Sequence, residues 1–512
     1  MKDFFSGEIE SFIENIKTII LFFFDKIDQN NLFNIFLYNP KEPIIFNSGF
    51  FLFIFCVFLL FYTIIHKHKT LQICYIILFS FYFYYKSSGI YFILLFLTAS
   101  SDFLLANLIY KSTSLKYKRL FLTLSLLINL SLLGYFKYTN FFIKIFNDFA
   151  INDVGTLSII LPVGISFFIF QSLSYTIDIY RGKIIPVISY FDFLFFISFF
   201  PQLVAGPIVR ASDFIPQIRK NIVIKDFEIS RAIFLIISGL VKKAIISDYI
   251  SINFVDRIFD NPLLYSGFEN LMAVYAYALQ IYCDFSGYSD MAIGIALLMG
   301  FNLSINFNSP YQSSSITEFW RRWHISLSTW LKDYLYISMG GNRKGKIRQY
   351  FNLLITMLLG GLWHGASWKF VIWGGIHGIV LIIEKIFNRY IVFKQNIFTK
   401  TIGVIITFHI VCLCWIFFRA SDYNTSLNVI TQIAYNFDYK IINDVLSGYK
   451  NVFILCLFGY FLHFIPEHYE LKTIKLLNKT NTIVQAFILA IIIWIVIQVK
   501  SAEILPYIYF QF

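Results

Sequence analysis

Long, nearly unbroken apolar runs, parted by short basic breaks, constrain this chain more than any other feature. Residues 49–65 read GFFLFIFCVFLLFYTII, and comparable runs cover about 71–86, 90–110, 120–137, 155–180, 231–249, 268–299, 400–418, 451–466 and 482–499. The breaks are pieces such as HKHK, KSSG, KSTSLKYKR and RGK. Runs approaching 18–20 residues match the length a helix needs to cross a bilayer, and they are too long for barrel strands, which alternate over about ten residues. The predicted fold is an all-α polytopic membrane protein with about eleven to thirteen membrane segments.

Composition agrees. Of 512 residues, 58% are hydrophobic and 14% charged, where a soluble chain carries about a quarter charged. The net charge of +12 would raise nucleic-acid binding in a soluble domain. Here the Lys and Arg residues sit in short loops, where they set topology and meet anionic headgroups, so no nucleic-acid partner is expected. Cys56, Cys74, Cys283, Cys412, Cys414 and Cys456 lack paired CxxC spacing, which predicts neither disulfides nor a zinc site. The opening MKDFFSGEIE has no basic n-region, so no cleavable signal peptide is expected.

Two units are expected: an amphipathic segment over 1–48 and a single membrane domain over 49–512. In the first, Phe5, Ile9, Phe12, Ile16, Ile19, Ile20, Phe23 and Ile27 share one helix face, which fits an interfacial helix or a docking surface for a partner. Asn152, Asp153 and Gly155 mark a turn. The stretch 189–210, SYFDFLFFISFFPQLVAGPIVR, is apolar but broken by Pro201, Gly206 and Pro207, as in a bent or re-entrant wall.

Ionisable residues inside apolar runs are costly, and each is a candidate functional position. His364 lies in LLGGLWHGASW, beside Gly360, Gly361, Gly365 and the aromatic walls Trp363 and Trp368. Imidazole is the side chain suited to accept a proton near neutral pH, though a histidine hydrogen-bonded between helices fits the same pattern. His324 follows an S-x-x-E helix start at Ser315–Glu318. One continuous helix would stripe Trp320, Trp323, Leu327, Trp330, Leu331 and Tyr334 on one face, with His324 at its edge near the membrane surface. A Trp-rich interfacial helix with an incidental histidine reads the same way. His377 is read as structural. Asp284, Ser286 and Asp290 lie within the run 268–299; helix-to-helix hydrogen bonding is favoured for the carboxylates over cation binding. Nothing matches a P-loop, a Rossmann fingerprint, HExxH or GxSxG.

Together the pieces SFFIFQSLSYTIDIYRG (166–182), FPQLVAGPIVR (200–210), CDFSGYSDMAIGIA (283–296), FWRRWHISLSTWLKDYLY (319–336), GGNRKG (340–345) and GGLWHGASWKF (360–370) resemble the membrane-bound O-acyltransferase family, in its bacterial alginate and peptidoglycan O-acetyltransferase branch. They run in order through about 160–385. The resemblance implies a many-helix bundle around a central funnel, in the cytoplasmic (inner) membrane of a bacterium. It implies that His364 acts as general base with His324 its companion across the pore, and that Gly340–Gly345 lies near the donor's entrance. The donor would be acetyl-CoA, with no bound cofactor. An exported SGNH-type partner would complete transfer to a polysaccharide hydroxyl. Candidate substrate-binding positions are Trp323, Trp363, Arg321, Arg322, Asp284 and Ser286, although the two arginines also fit topology-setting charge. The end ILPYIYFQF resembles the aromatic tail of the small accessory protein of teichoic-acid D-alanylation. It makes Tyr509 either an acyl relay or an aromatic interfacial anchor. D-alanyl transfer, or a non-catalytic channel or scaffold, are the alternative functions.

Overall fold

A computed structural model describes residues 34–65, 67–149, 154–204, 206–391, 396–499 and 507–508. The N-terminal amphipathic helix expected over 1–30, and Tyr509, lie outside them. Among the described residues every regular element is helical. The helices that matter below are α1 (Gly49–Ile64), α2 (Lys69–Ser88), α3 (Phe92–Lys111), α4 (Leu115–Leu133), α5 (Ile165–Tyr180), α6 (Asp226–Leu240), α7 (Gly267–Leu298), α8 (Ile316–Arg322), α9 (Ile325–Trp330), α10 (Lys346–His364), α11 (Trp368–Tyr390) and α12 (Ile397–Arg419).

Among the described residues, four helical stretches are long and apolar enough to cross a bilayer: Lys69–Lys111, Leu115–Phe149, Trp368–Tyr390 and Ile397–Arg419. A fifth is the pair Ile442–Gly448 and Lys450–Phe464, bent by 84°. Two shorter apolar helices, Gly49–Ile64 and Thr482–Gln498, add to these. The expected eleven to thirteen segments include broken and protein-buried runs as well as these long ones. Large apolar side chains such as Phe53, Leu104, Ile405 and Phe461 face outward. In water that would be an anomaly; against lipid it is the low-energy arrangement. The protein is a multi-pass, all-α membrane protein.

Several runs break where the residues require it. The span expected over 155–180 becomes a helix only at Ile165, because Pro162 has no N–H and Gly164 adopts φ +73°. A Cβ on Gly164 would also meet the Leu203 carbonyl at 2.6 Å. The segment ahead of it is extended, and its backbone needs partners. Side chains supply them. Asn140 exchanges two 2.9 Å bonds with the Leu157 backbone, and Asn147 does the same with Val154 at 2.8 and 3.0 Å. The two asparagines are two turns apart on helix Thr139–Phe149, so they share a face. Tyr84 and Ser88 of α2 hold the Val163 carbonyl and N–H at 2.8 and 2.9 Å.

The stretch 189–210 is broken as expected, into helices Tyr190–Ser198 and Phe200–Leu203 within the protein. Trp320–Tyr334 is not one helix: α8 ends at Arg322, α9 starts after His324, and a π-helical turn covers Leu331–Tyr336. Two apolar clusters form the interior, one around α1–α5 and one around α7, α11 and α12. The site described next lies on the seam between them.

Candidate active site

α10 carries His364 on its last turn, where four backbone carbonyls have no helical partner. All four are answered. Gly365 N–H donates to Gly361 O at 3.4 Å, and Tyr138 OH donates to Leu362 O at 2.7 Å. Lys137 Nζ donates to Trp363 O at 2.6 Å and to His364 O at 3.1 Å. Lys137 and Tyr138 close a π-helical turn, Gly134–Tyr138, in the span Leu115–Phe149. Such turns recur at functional sites because the extra residue re-aims the side chains that follow.

α10 and α11 form a tight hairpin. A Cβ on Gly361 would lie 2.1 Å from Phe370 O, and one on Gly374 would lie 2.2 Å from Met357 O. Only glycine allows that approach. His364 is thereby pressed among Trp363, Trp373 and Phe418, with ring centroids 5.0, 5.0 and 5.3 Å away. It is 3% exposed and still lines a small, partly enclosed pocket with Lys137, Gly164, Ser166, Phe167 and Trp363. The extended segment braced by Asn140 and Asn147 leads into the wall of that cavity.

His324 is fully buried, away from the surface location and helix stripe expected of it. With Trp323 it links α8 to α9, and its own φ is +42°. Left-handed backbone in a non-glycine residue is strained. Asn306 holds the arrangement: its Oδ1 faces His324 Nδ1 at 3.2 Å, Ser326 N at 3.2 Å and Ser326 Oγ at 2.9 Å. A backbone N–H can only donate, so the Asn306 atom is an acceptor and His324 Nδ1 carries the proton. In the neutral ring the lone pair is therefore on Nε2. His324 and His364 both lie against Trp363, at 6.0 and 5.0 Å. Phe167 touches both the cavity and His324.

The other candidates are distributed. Trp363 lines the cavity; Trp323 packs against Phe307, Phe319 and Trp415. Arg321 is exposed, and Arg322 pairs with Glu318 at 2.9 Å. Ser315 caps α8 by accepting from Glu318 N–H at 3.1 Å, while the Glu318 carboxylate accepts from Ser314 N–H at 2.9 Å instead of from the Ser315 N–H. Asp284 and Asp290 join α7 to the helix after α6 as ion pairs, Lys243–Asp284 and Lys242–Asp290, both 2.6 Å. Ser286 is buried on the same helix. Loop Gly340–Gly345 and His364 stand at opposite ends of the 19-residue α10, roughly 28 Å apart by helix rise. His377 is buried between Phe319, Trp320 and Trp373.

Two residues of the site went unnoticed in the sequence, Lys137 and Asn306. Lys137 could have been found by the rule that singles out His364, since it is ionisable and ends an apolar run; there it reads as an ordinary flank. Asn306 sits in a polar loop and carries no signal.

The sequence matches one family over residues 51–421: MBOAT, the membrane-bound O-acyltransferase family. The chain belongs to the membrane-bound O-acyltransferase family. A peptidoglycan O-acetyltransferase of Helicobacter pylori is 41% identical over 64% of this chain and 67% of its own length. A probable alginate O-acetylase of Azotobacter vinelandii is 44% identical over 59% of this chain and 60% of its own. A teichoic acid D-alanyltransferase of Bacillus subtilis is 30% identical over 51% and 69%. The chain thus spans about three-fifths to two-thirds of the curated relatives it matches.

Proposed function

We propose that this membrane-bound O-acyltransferase takes an acetyl group from cytoplasmic acetyl-CoA and delivers it for O-acetylation of a cell-envelope polysaccharide, with His364 as general base. The observation that carries this reading is a buried imidazole on the wall of a partly enclosed pocket. A thioester is already activated. The enzyme needs only to remove a hydroxyl proton and hold the oxygen near the carbonyl carbon, and both needs suit a preformed cavity. His324, whose ring also lies against Trp363, is its companion. The relatives named for peptidoglycan and alginate acetylation support the acceptor class. The bacterial inner membrane is the proposed location, an exported SGNH-type protein the proposed partner, and Tyr509 a proposed acyl relay.

A second reading, D-alanyl transfer, is favoured by the relative from Bacillus subtilis. Mass spectrometry of envelope glycans from cells with and without the gene separates them. Loss of O-acetyl groups supports the first reading, and loss of O-alanyl groups the second. Unchanged acylation in cells carrying only an abundant, inserted His364→Ala variant would remove the catalytic assignment and favour a channel or scaffold.

A further inference from the structure

The geometry points to Lys137 as a second catalytic residue, whose ammonium stabilises the oxyanion formed at the thioester carbonyl beside His364. This rests on the acyl-transfer reading above and adds a residue to it. An ammonium has three N–H donors. Two are committed to the carbonyls of Trp363 and His364 at 2.6 and 3.1 Å, and Lys137 bonds no third acceptor among the described residues. The same side chain lines the cavity with His364. The third N–H is the donor left for a ligand there.

Acceptor groups and a ring face surround Nζ. The C-terminus of α10 bears the negative end of the helix dipole, two carbonyl oxygens point at Nζ, and the Trp363 ring lies 5.8 Å below it. Because Nζ is bonded to the backbone of His364 itself, cation and base cannot drift apart without breaking the end of α10. A fixed donor and a fixed base on one cavity wall cost no reorganisation when charge develops.

The step balances without another reactant. As the hydroxyl oxygen bonds to the carbonyl carbon, the imidazole of His364 takes the hydroxyl proton. The carbonyl electron pair moves to oxygen, where Lys137 donates its third N–H. Collapse re-forms the carbonyl and breaks the C–S bond, and the departing thiolate takes the proton from the imidazolium. Acetyl ester and free thiol are the products.

The test uses the full chain in liposomes, acetyl-CoA as donor, chitooligosaccharide as acceptor probe, and thiol release as readout. Lys137→Gln is the informative variant: its amide still has two N–H groups for the two carbonyls but carries no charge. Loss of an oxyanion donor lowers kcat by about 10²–10³-fold, with KM for acetyl-CoA little changed. Lys137→Met should fall at least as far, and Lys137→Arg should retain part of the activity. Tyr138→Phe removes another bond to the same helix end and should leave kcat near wild type. If Lys137→Gln turns over like wild type, Lys137 is only a helix cap and the assignment is overturned. Should Lys137→Met fail to insert, the Gln variant still decides. Wild-type thiol release no faster than His364→Ala would instead overturn the acyl-transfer reading, and this assignment with it.

Discussion

Asn306 Oδ1 lies 3.2 Å from His324 Nδ1 and also accepts from both the N–H and the hydroxyl of Ser326. One amide oxygen therefore sets the tautomer of a buried histidine and holds its left-handed backbone. Asn306→Ala removes the acceptor that three buried donors share. A buried donor that loses its partner costs about 1–3 kcal/mol, so a lower Tm in detergent is expected together with a loss of transfer. If Tm and activity both match wild type, His324 is not held by Asn306.

The two histidines flanking Trp363 should respond differently to substitution. His364→Gln is expected to lower transfer by about 10²–10⁴-fold, the usual contribution of a general base. The glutamine is close to the ring in volume, so Tm should move little. His324→Gln should lower both rate and Tm, because His324 also occupies a strained position between α8 and α9. Equal effects of the two on rate and stability would show that neither has a separate chemical role.

Packing of α10 on α11 is tested by a single methyl group. Gly361→Ala puts a Cβ 2.1 Å from Phe370 O. Overpacking of that kind costs about 1–3 kcal/mol, against an intrinsic helix gain of roughly 1 kcal/mol. Net loss of Tm and of activity is expected, since His364 is less than one turn away. Gly49→Ala, with nothing within 4 Å of the new Cβ, is the matched control and should be neutral or stabilising.

Lys243 is 2% exposed and lies 2.6 Å from Asp284 and 2.8 Å from Asp248. Asp284 also accepts from Ile508 N–H at 2.9 Å, and the Lys243 ammonium sits 4.7 Å over the Tyr507 ring. Lys243→Met removes the cation that two buried carboxylates share and should cost about 3–5 kcal/mol, read as a fall in Tm. Adding Asp284→Asn in the same chain should recover part of that loss. No recovery would mean the damage comes from lost packing instead of stranded charge.

Residue order alone determined that this chain is helical and membrane-embedded, that 189–210 is broken, and that His364 deserved attention. Hydrophobic run length and the cost of burying an ionisable group are local properties, so they are legible without coordinates. Only the tertiary structure decided where the pieces meet. It moved His324 from a surface stripe to the interior, because Asn306, eighteen residues earlier, answers its ring and the next turn. It brought Lys137 to the carbonyls of a helix more than two hundred residues away. Four unpaired carbonyls must find donors somewhere, but which side chain reaches them depends on how the helices pack, and no spacing along the chain records that.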